Sequence, residues 1–248
     1  MRKAFKKNYF SIFAYPVNVN RSKSNRGNAF LYILVAVVLF GALIFALSRG
    51  GQQNSGVAEL DSGRAKVAAN EILSYAATAA NNLTQMDAGG ITADQIDFML
   101  PNDSDFNTDA PANPNIHKLF HPSGGGLGYK SLPQDANDDD GVGLAAGYYI
   151  GRFNNIEWTP TTAPDIIFAA YEIKTPVCAE INRKLTGSTV IPTVSGDSLE
   201  NFFIEASLHS GANAPFEVAN CAACEEKPAL CVANAAGKNL FYSILAAE

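Results

Sequence analysis

The chain has 248 residues, room for one sizeable domain with or without an anchoring segment, and carries 24 acidic against 18 basic residues. Seven of the basic residues (Arg2, Lys3, Lys6, Lys7, Arg21, Lys23 and Arg26) precede Gly27 in a stretch without any acid, which leaves 11 basic and 24 acidic residues beyond it, a net charge of −13. A phosphate backbone is held by clustered Lys and Arg, and the acidic body offers no such cluster, so no nucleic-acid partner is expected.

The basic leader, residues 1–27, runs directly into segment 28–48, which holds no charged residue. Residues 29–47 are 19 positions that are apolar apart from Gly41 and the Tyr32 hydroxyl. At a rise of ~1.5 Å per residue they reach roughly 28 Å, close to the ~30 Å hydrocarbon core of a bilayer. The hydrophobic part of a cleavable secretory signal has only about 7–15 residues, so 28–48 is predicted to be a single transmembrane helix. Basic charge on its amino side keeps that end in the cytoplasm and places the body outside, where disulfides persist.

The junction between leader and helix reads Arg21-Ser22-Lys23-Ser24-Asn25-Arg26-Gly27-Asn28-Ala29-Phe30-Leu31-Tyr32. It resembles the leader of type IV pilins and type II secretion pseudopilins. The resemblance implies that a prepilin peptidase cuts between Gly27 and Asn28 on the cytoplasmic side and that methylation follows. A small, flexible glycine suits entry of the peptide bond into a protease site. The freed apolar helix is then expected to pack against homologous pilin or pseudopilin subunits.

Family members carry an apolar first mature residue and a glutamate at the fifth position. Here those positions hold Asn28 and Tyr32. Without the carboxylate the usual ion pair with a neighbour's terminal amine cannot form, which implies a minor subunit. The implied location is the bacterial inner membrane, crossed once, with the head in the periplasm or in a surface filament. The competing reading is an uncleaved, signal-anchored periplasmic binding module.

Past the apolar segment, Arg49-Gly50-Gly51-Gln52-Gln53-Asn54-Ser55-Gly56 reads as a flexible hinge over 49–56. The head is expected over 57–248. Leu60, Val67, Ala68, Ile72, Tyr75, Ala76, Ala79 and Leu83 recur at three- and four-residue spacings, which predicts an amphipathic helix over 57–83 laid on a sheet. Residues 81–140, rich in Asn, Asp, Gly and Pro, read as loops, with a short helix over 91–100 capped by Thr92. Aromatic and branched residues predict strands over 147–153, 165–173 and 240–245. Thr175 followed by Pro176 suits a cap and first helical position, with Gly187 as the stop. The fold class is α+β, a long amino-terminal helix packed on an antiparallel sheet, which is the pilin-like arrangement that the resemblance also implies.

Four cysteines, Cys178, Cys221, Cys224 and Cys231, are an even number in an exported body and predict disulfides. Three connectivities are open, and one bridge is expected to tie Cys178 to the carboxy-terminal loop. The rival is a zinc site from Cys221, Cys224, Cys231 and His209. No cofactor is required by the sequence, but Asp135, Asn137 and Asp139 place side-chain oxygens at alternating positions, as calcium loops do. Asp140 at the sixth position and no glutamate at the twelfth exclude an EF-hand. Asn102, Asp103, Asp105, Asn107 and Asp109 form a second such run.

His117 and His121 stand between Pro114 and Pro122 in a segment too short for a stable helix, so surface histidines are expected. Gly124-Gly125-Gly126-Leu127-Gly128 lacks the strand and helix of a phosphate cradle and reads as a flexible loop. Three histidines, with no Gly-x-Ser-x-Gly turn, phosphate loop or zincin motif, give no catalytic residue to nominate, and the chain is read as no enzyme.

Overall fold

The computed structural model of the protein describes residues 55–204 and 215–247. The leader with Gly27 and Asn28, the apolar segment 28–48 with Tyr32, most of the 49–56 hinge, the Leu60 side chain and His209 lie outside the described residues. Among the described residues no helix is long and apolar enough to cross a membrane.

Helix α1 (Ser55–Ala88) is the longest element among the described residues. Its buried positions are Ala65, Ala68, Ala69, Ile72, Tyr75, Ala76, Ala79, Leu83 and Met86, a stripe at three- and four-residue spacing. The helix outruns the expected 57–83 because Met86 continues that stripe and Gly89-Gly90 then ends it, with Gly90 at φ +88°. Val67, expected on the stripe, is exposed, since the turn from Ala65 to Ala68 carries it to the far side.

Four strands form one antiparallel sheet: β1 (Gly147–Asn154), β2 (Asp165–Tyr171), β3 (Ala229–Ala233) and β4 (Asn239–Ala246), in the order β1-β2-β4-β3. All seven residues of β2 are buried, which requires cover on both faces. Ile166, Phe168 and Ala170 point to one side, where α1 and the loops of 91–136 pack, and Ile167, Ala169 and Tyr171 point to the other. Tyr75 docks α1 on the sheet, its ring 4.8 Å from Tyr148 and 5.8 Å from Phe168. Its hydroxyl donates to the Gly128 carbonyl at 2.9 Å, and burial pushes its pKa up to about 12. The small residues of the stripe let the helix approach closely, while Ile72 and Tyr75 each contribute roughly 1.5–3 kcal/mol by burial.

The opposite face is covered by helix α3 (Leu199–Phe203) and by Phe216. Phe203 stacks on Tyr242 with ring centres 4.9 Å apart, and Phe216 meets Phe202 edge to face at 5.1 Å. Helix α2 (Thr175–Thr186) packs on the same side of the sheet as α1 through Val177, Cys178 and Ile181. Gly187 ends it at φ +79°. Its first residue is Thr175, so the helix begins one position earlier than expected, with Lys174 and not Thr175 as the cap. The Thr175 hydroxyl instead accepts from Asn239 Nδ2 at 3.1 Å.

Two stretches depart further from expectation. Residues 91–100 form only a single turn at Ala93–Gln95, with the Gln95 side chain accepting from the Thr92 amide at 3.1 Å. The Asp97 carboxylate accepts from the Met99 amide at 2.8 Å, a local bond that competes with helix. The glycine run is packed: a Cβ at Gly124 would lie 2.2 Å from the Lys118 carbonyl oxygen, and one at Gly125 would lie 2.5 Å from that of Leu119. Those glycines let the chain fold back over 118–119, so this segment is a close-fitting turn and not the loose loop expected.

Candidate functional site

The four cysteines pair as Cys178–Cys231 and Cys221–Cys224, with Cα atoms 5.5 Å and 5.3 Å apart. Cys178 therefore joins α2 to strand β3, an element within the sheet where a loop was expected. The zinc alternative loses all three of its thiolates, because Cys221 is bonded to Cys224 and Cys231 to Cys178. Beside this bridge the buried Asn182 amide donates to the Cys231 carbonyl at 2.8 Å and its oxygen accepts from the Cys231 amide at 2.8 Å. The pair of bonds fixes β3 against α2 much as another strand would.

The first acidic run lies at the end of β2. Asn137 bridges Ile173, the Asp138 amide donates to the Glu172 carbonyl at 2.9 Å, and the Lys174 amide donates to that of Ala136 at 2.8 Å. Within the run, Asn137 Oδ1, Asp139 Oδ1 and Asp140 Oδ1 each accept from the amide two residues ahead, all at 2.8 Å. The alternation seen in the sequence is thus spent largely on shaping the loop. Asp135 lines a separate depression of about 270 Å³ together with Asp61, Arg64 and Lys174. The carboxylates that converge among the described residues are Asp139, Asp140 and Glu172, whose oxygens lie within 4.8 Å of one another.

Lys238, at the turn between β3 and β4, reaches into this cup. Its ammonium donates to Asp140 Oδ1 at 3.3 Å, to the Val142 carbonyl at 3.1 Å and to Glu172 Oε1. Glu172 is 2% exposed and stands at φ +52°, an uncommon conformation for a residue with a side chain. The Val142 amide and then Lys238 hold the Asp140 carboxyl below its usual range, and the carboxylates hold Lys238 above its own. Tyr149 is pushed up to about 12, by burial first and then by the negative charges around it, Asp139 and Glu172 included.

The second run, 102–109, surrounds another lysine. Lys118 is fully buried, and its ammonium donates to the carbonyls of Asp105, Phe106 and Thr108 at 3.0, 2.9 and 2.8 Å and to Asn115 Oδ1 at 2.8 Å. The carboxylates of the run turn to the backbone: Asp103 accepts from the Leu100 amide and Asp109 from that of Asn115. His117 lies in a short turn at Asn115–His117, and His121 Nδ1 accepts from the Ser123 amide. The two histidines form no metal pair with the carboxylates among the described residues. Beside β1 lies a depression of about 290 Å³ whose aromatic walls include Phe98, Phe120, Tyr129 and Tyr149.

Sequence reasoning nominated Asp139 but missed Asp140, Glu172, Lys238 and Lys118. A lysine in a run of Asn and Asp looks like solvated surface, and only the chain's return across the sheet reveals it as a partner. The chain matches no protein-family model, no curated protein and no solved structure with which it was compared.

Proposed function

We propose that the protein is a structural, non-enzymatic subunit of a type IV pilus or type II secretion pseudopilus, a minor one, anchored in the bacterial inner membrane through residues 28–48. The observation that carries the reading is the sequence junction: seven basic residues and no acid, then Gly27, then an uncharged apolar stretch long enough for a bilayer. A long helix laid on an antiparallel sheet through Tyr75 supports it as architecture, and two disulfides suit an exported head. In this reading the peptidase removes residues 1–27, the apolar helices of neighbouring subunits pack together, and the head faces outward.

One observation favours a second reading. Tyr32 stands where the family's glutamate would neutralise a neighbour's amine, and an uncleaved tether for a periplasmic binding head has no need of that charge. Amino-terminal sequencing of the protein from its own cell separates the two. A mature terminus at Asn28, lost in Gly27→Ala, is expected; a full-length chain in cells with an active prepilin peptidase sinks the pilin reading.

A further inference from the structure

We propose that the ridge where α1 meets α2 is a lipid-docking surface, on which Arg64, Lys66, Lys174, Arg183 and Lys184, with the apolar Leu185 and Val190, rest on anionic headgroups. The inference rests on the reading of residues 28–48 as a membrane anchor and adds to it the face that the head turns to the bilayer.

The placement of positive charge carries the argument. Beyond Gly27 the chain holds 11 basic and 24 acidic residues. Five of the 11 gather at this one junction. Arg64 of α1 and Lys174 of α2's cap line the same depression, and Arg183 and Lys184 pair with Glu180 at 2.6 and 3.7 Å. The Glu180 carboxyl is held below its usual range by Arg183 first and then by Lys184 and Lys66, which brings α1 into the same cluster. The carboxylates among these side chains are Asp61, Asp135 and Glu180, so the ridge keeps an excess of two positive charges on a chain that is acidic elsewhere.

Apolar side chains stand among those charges. Residues 183–190 are all exposed, Leu185 and Val190 included, the valine at 70%. They are held outward from within. Asn182, fully buried, donates to the Val190 carbonyl at 2.9 Å and to that of Cys231 at 2.8 Å, and the Thr186 hydroxyl donates to the Asn182 carbonyl at 2.8 Å. Basic residues interleaved with apolar ones suit the headgroup layer, where Lys and Arg meet phosphate and aliphatic groups reach the acyl boundary.

Chain length keeps the two surfaces within reach. Arg64 lies 16 positions beyond Ser48, the last residue of the apolar segment. Fully extended, that stretch spans at most roughly 55 Å. An acidic run such as 135–140 on a second copy would complement the charge alone, since its side chains are Asp, Asn and one Ala and offer little to Leu185 and Val190.

The test is hydrogen exchange of the full-length chain, one copy per lipid nanodisc, in phosphatidylcholine alone and with phosphatidylglycerol added. A basic residue near an anionic surface shifts occupancy roughly fivefold. The amides of 183–190 are therefore expected to exchange about tenfold more slowly in the anionic discs, and to lose that protection at ~1 M salt, where charges are screened beyond ~3 Å. Lys66→Gln combined with Lys184→Gln should remove most of it. Val190→Asn should weaken it while keeping the carbonyl that Asn182 holds. Lys227→Gln, beside Tyr242 on the opposite face of the sheet, should change nothing. The proposal is overturned by equal exchange in the two lipids, by protection undiminished in the paired lysine variant, or by protection that needs two copies per disc, which would assign the ridge to a second copy's acidic loop. A chain that stays out of the discs altogether sinks the anchored reading itself, and this surface with it.

Discussion

Two lysines in this head neutralise two acidic loops, and they do so in opposite ways. Lys118 is sealed, and every acceptor around its ammonium is a neutral oxygen, three carbonyls and one side-chain amide. Lys238 is a quarter exposed, and two of its three acceptors are carboxylates. The first works as an internal hydrogen-bond donor that gathers the 105–115 loop about itself. Its removal strips that donor from the three carbonyls. The second is a counter-ion at the rim of a cup that carries more negative charge than it can cancel. A buried ammonium ringed by dipoles is a piece of architecture, whereas an exposed one ringed by charges can be exchanged.

The largest effect is expected from Lys118→Met. The substitution keeps most of the side-chain volume but strips the donor from the Asp105, Phe106 and Thr108 carbonyls. A loss of about 3–5 kcal/mol in urea unfolding is expected. A loss below about 1 kcal/mol would mean that water reaches the cage and that the two lysines are not different in kind.

Next in size come the disulfides, which sharpen the contrast by acting on one lysine alone. Cys178–Cys231 pins β3 and hence the hairpin whose tip bears Lys238, over a sequence separation of 53. Its replacement by paired alanines is expected to cost about 2–4 kcal/mol, against less than about 2 kcal/mol for Cys221–Cys224, whose loop spans a separation of 3. The long-range loss should also raise hydrogen exchange in β3 and leave the 105–118 amides protected. Equal costs for the two bridges would show that chain entropy does not govern them.

What the sequence made legible is what repeats or what is chemically rare. The stripe of α1 could be read from small and large apolar residues at helical spacing, and β2 from an unbroken branched and aromatic run. The tie of Cys178 to the carboxy-terminal region followed from the rarity of cysteine. Strand β3 was invisible because Ala229–Ala233 is only five residues long, follows Pro228 and becomes a strand through its register with β4 and its anchor on Asn182. Residues 91–100 misled in the other direction: their apolar spacing suits a helix, but side-chain bonds from Gln95 and Asp97 to the backbone won locally. The cup of carboxylates was half legible. Asp139 and Asp140 stand in an evident acidic loop, but Glu172 and Lys238 meet across 66 positions, and no local pattern encodes that meeting.

The smallest effect separates the two lysines by pH. The Asp140 carboxyl titrates below its ordinary 3.8 because the Val142 amide and Lys238 bond to its charged form. A folded-state pKa held below the unfolded one contributes stability that is present above 3.8 and disappears as pH falls through the folded value. Lys238 is shifted up from 10.5 by Glu172 and Asp140, so its share is present below 10.5 and is lost as pH rises through its folded value. The acceptors of Lys118 are neutral and have no such acid limb. Asp140→Asn should therefore cost more stability at about pH 6 than at about pH 3 in urea unfolding, while the cost of Lys118→Met should change little between the two. An Asp140→Asn cost that is the same at both values would show that its carboxylate charge does not matter to the fold, and Asp140 would then be a turn-former whose oxygen an amide supplies equally well.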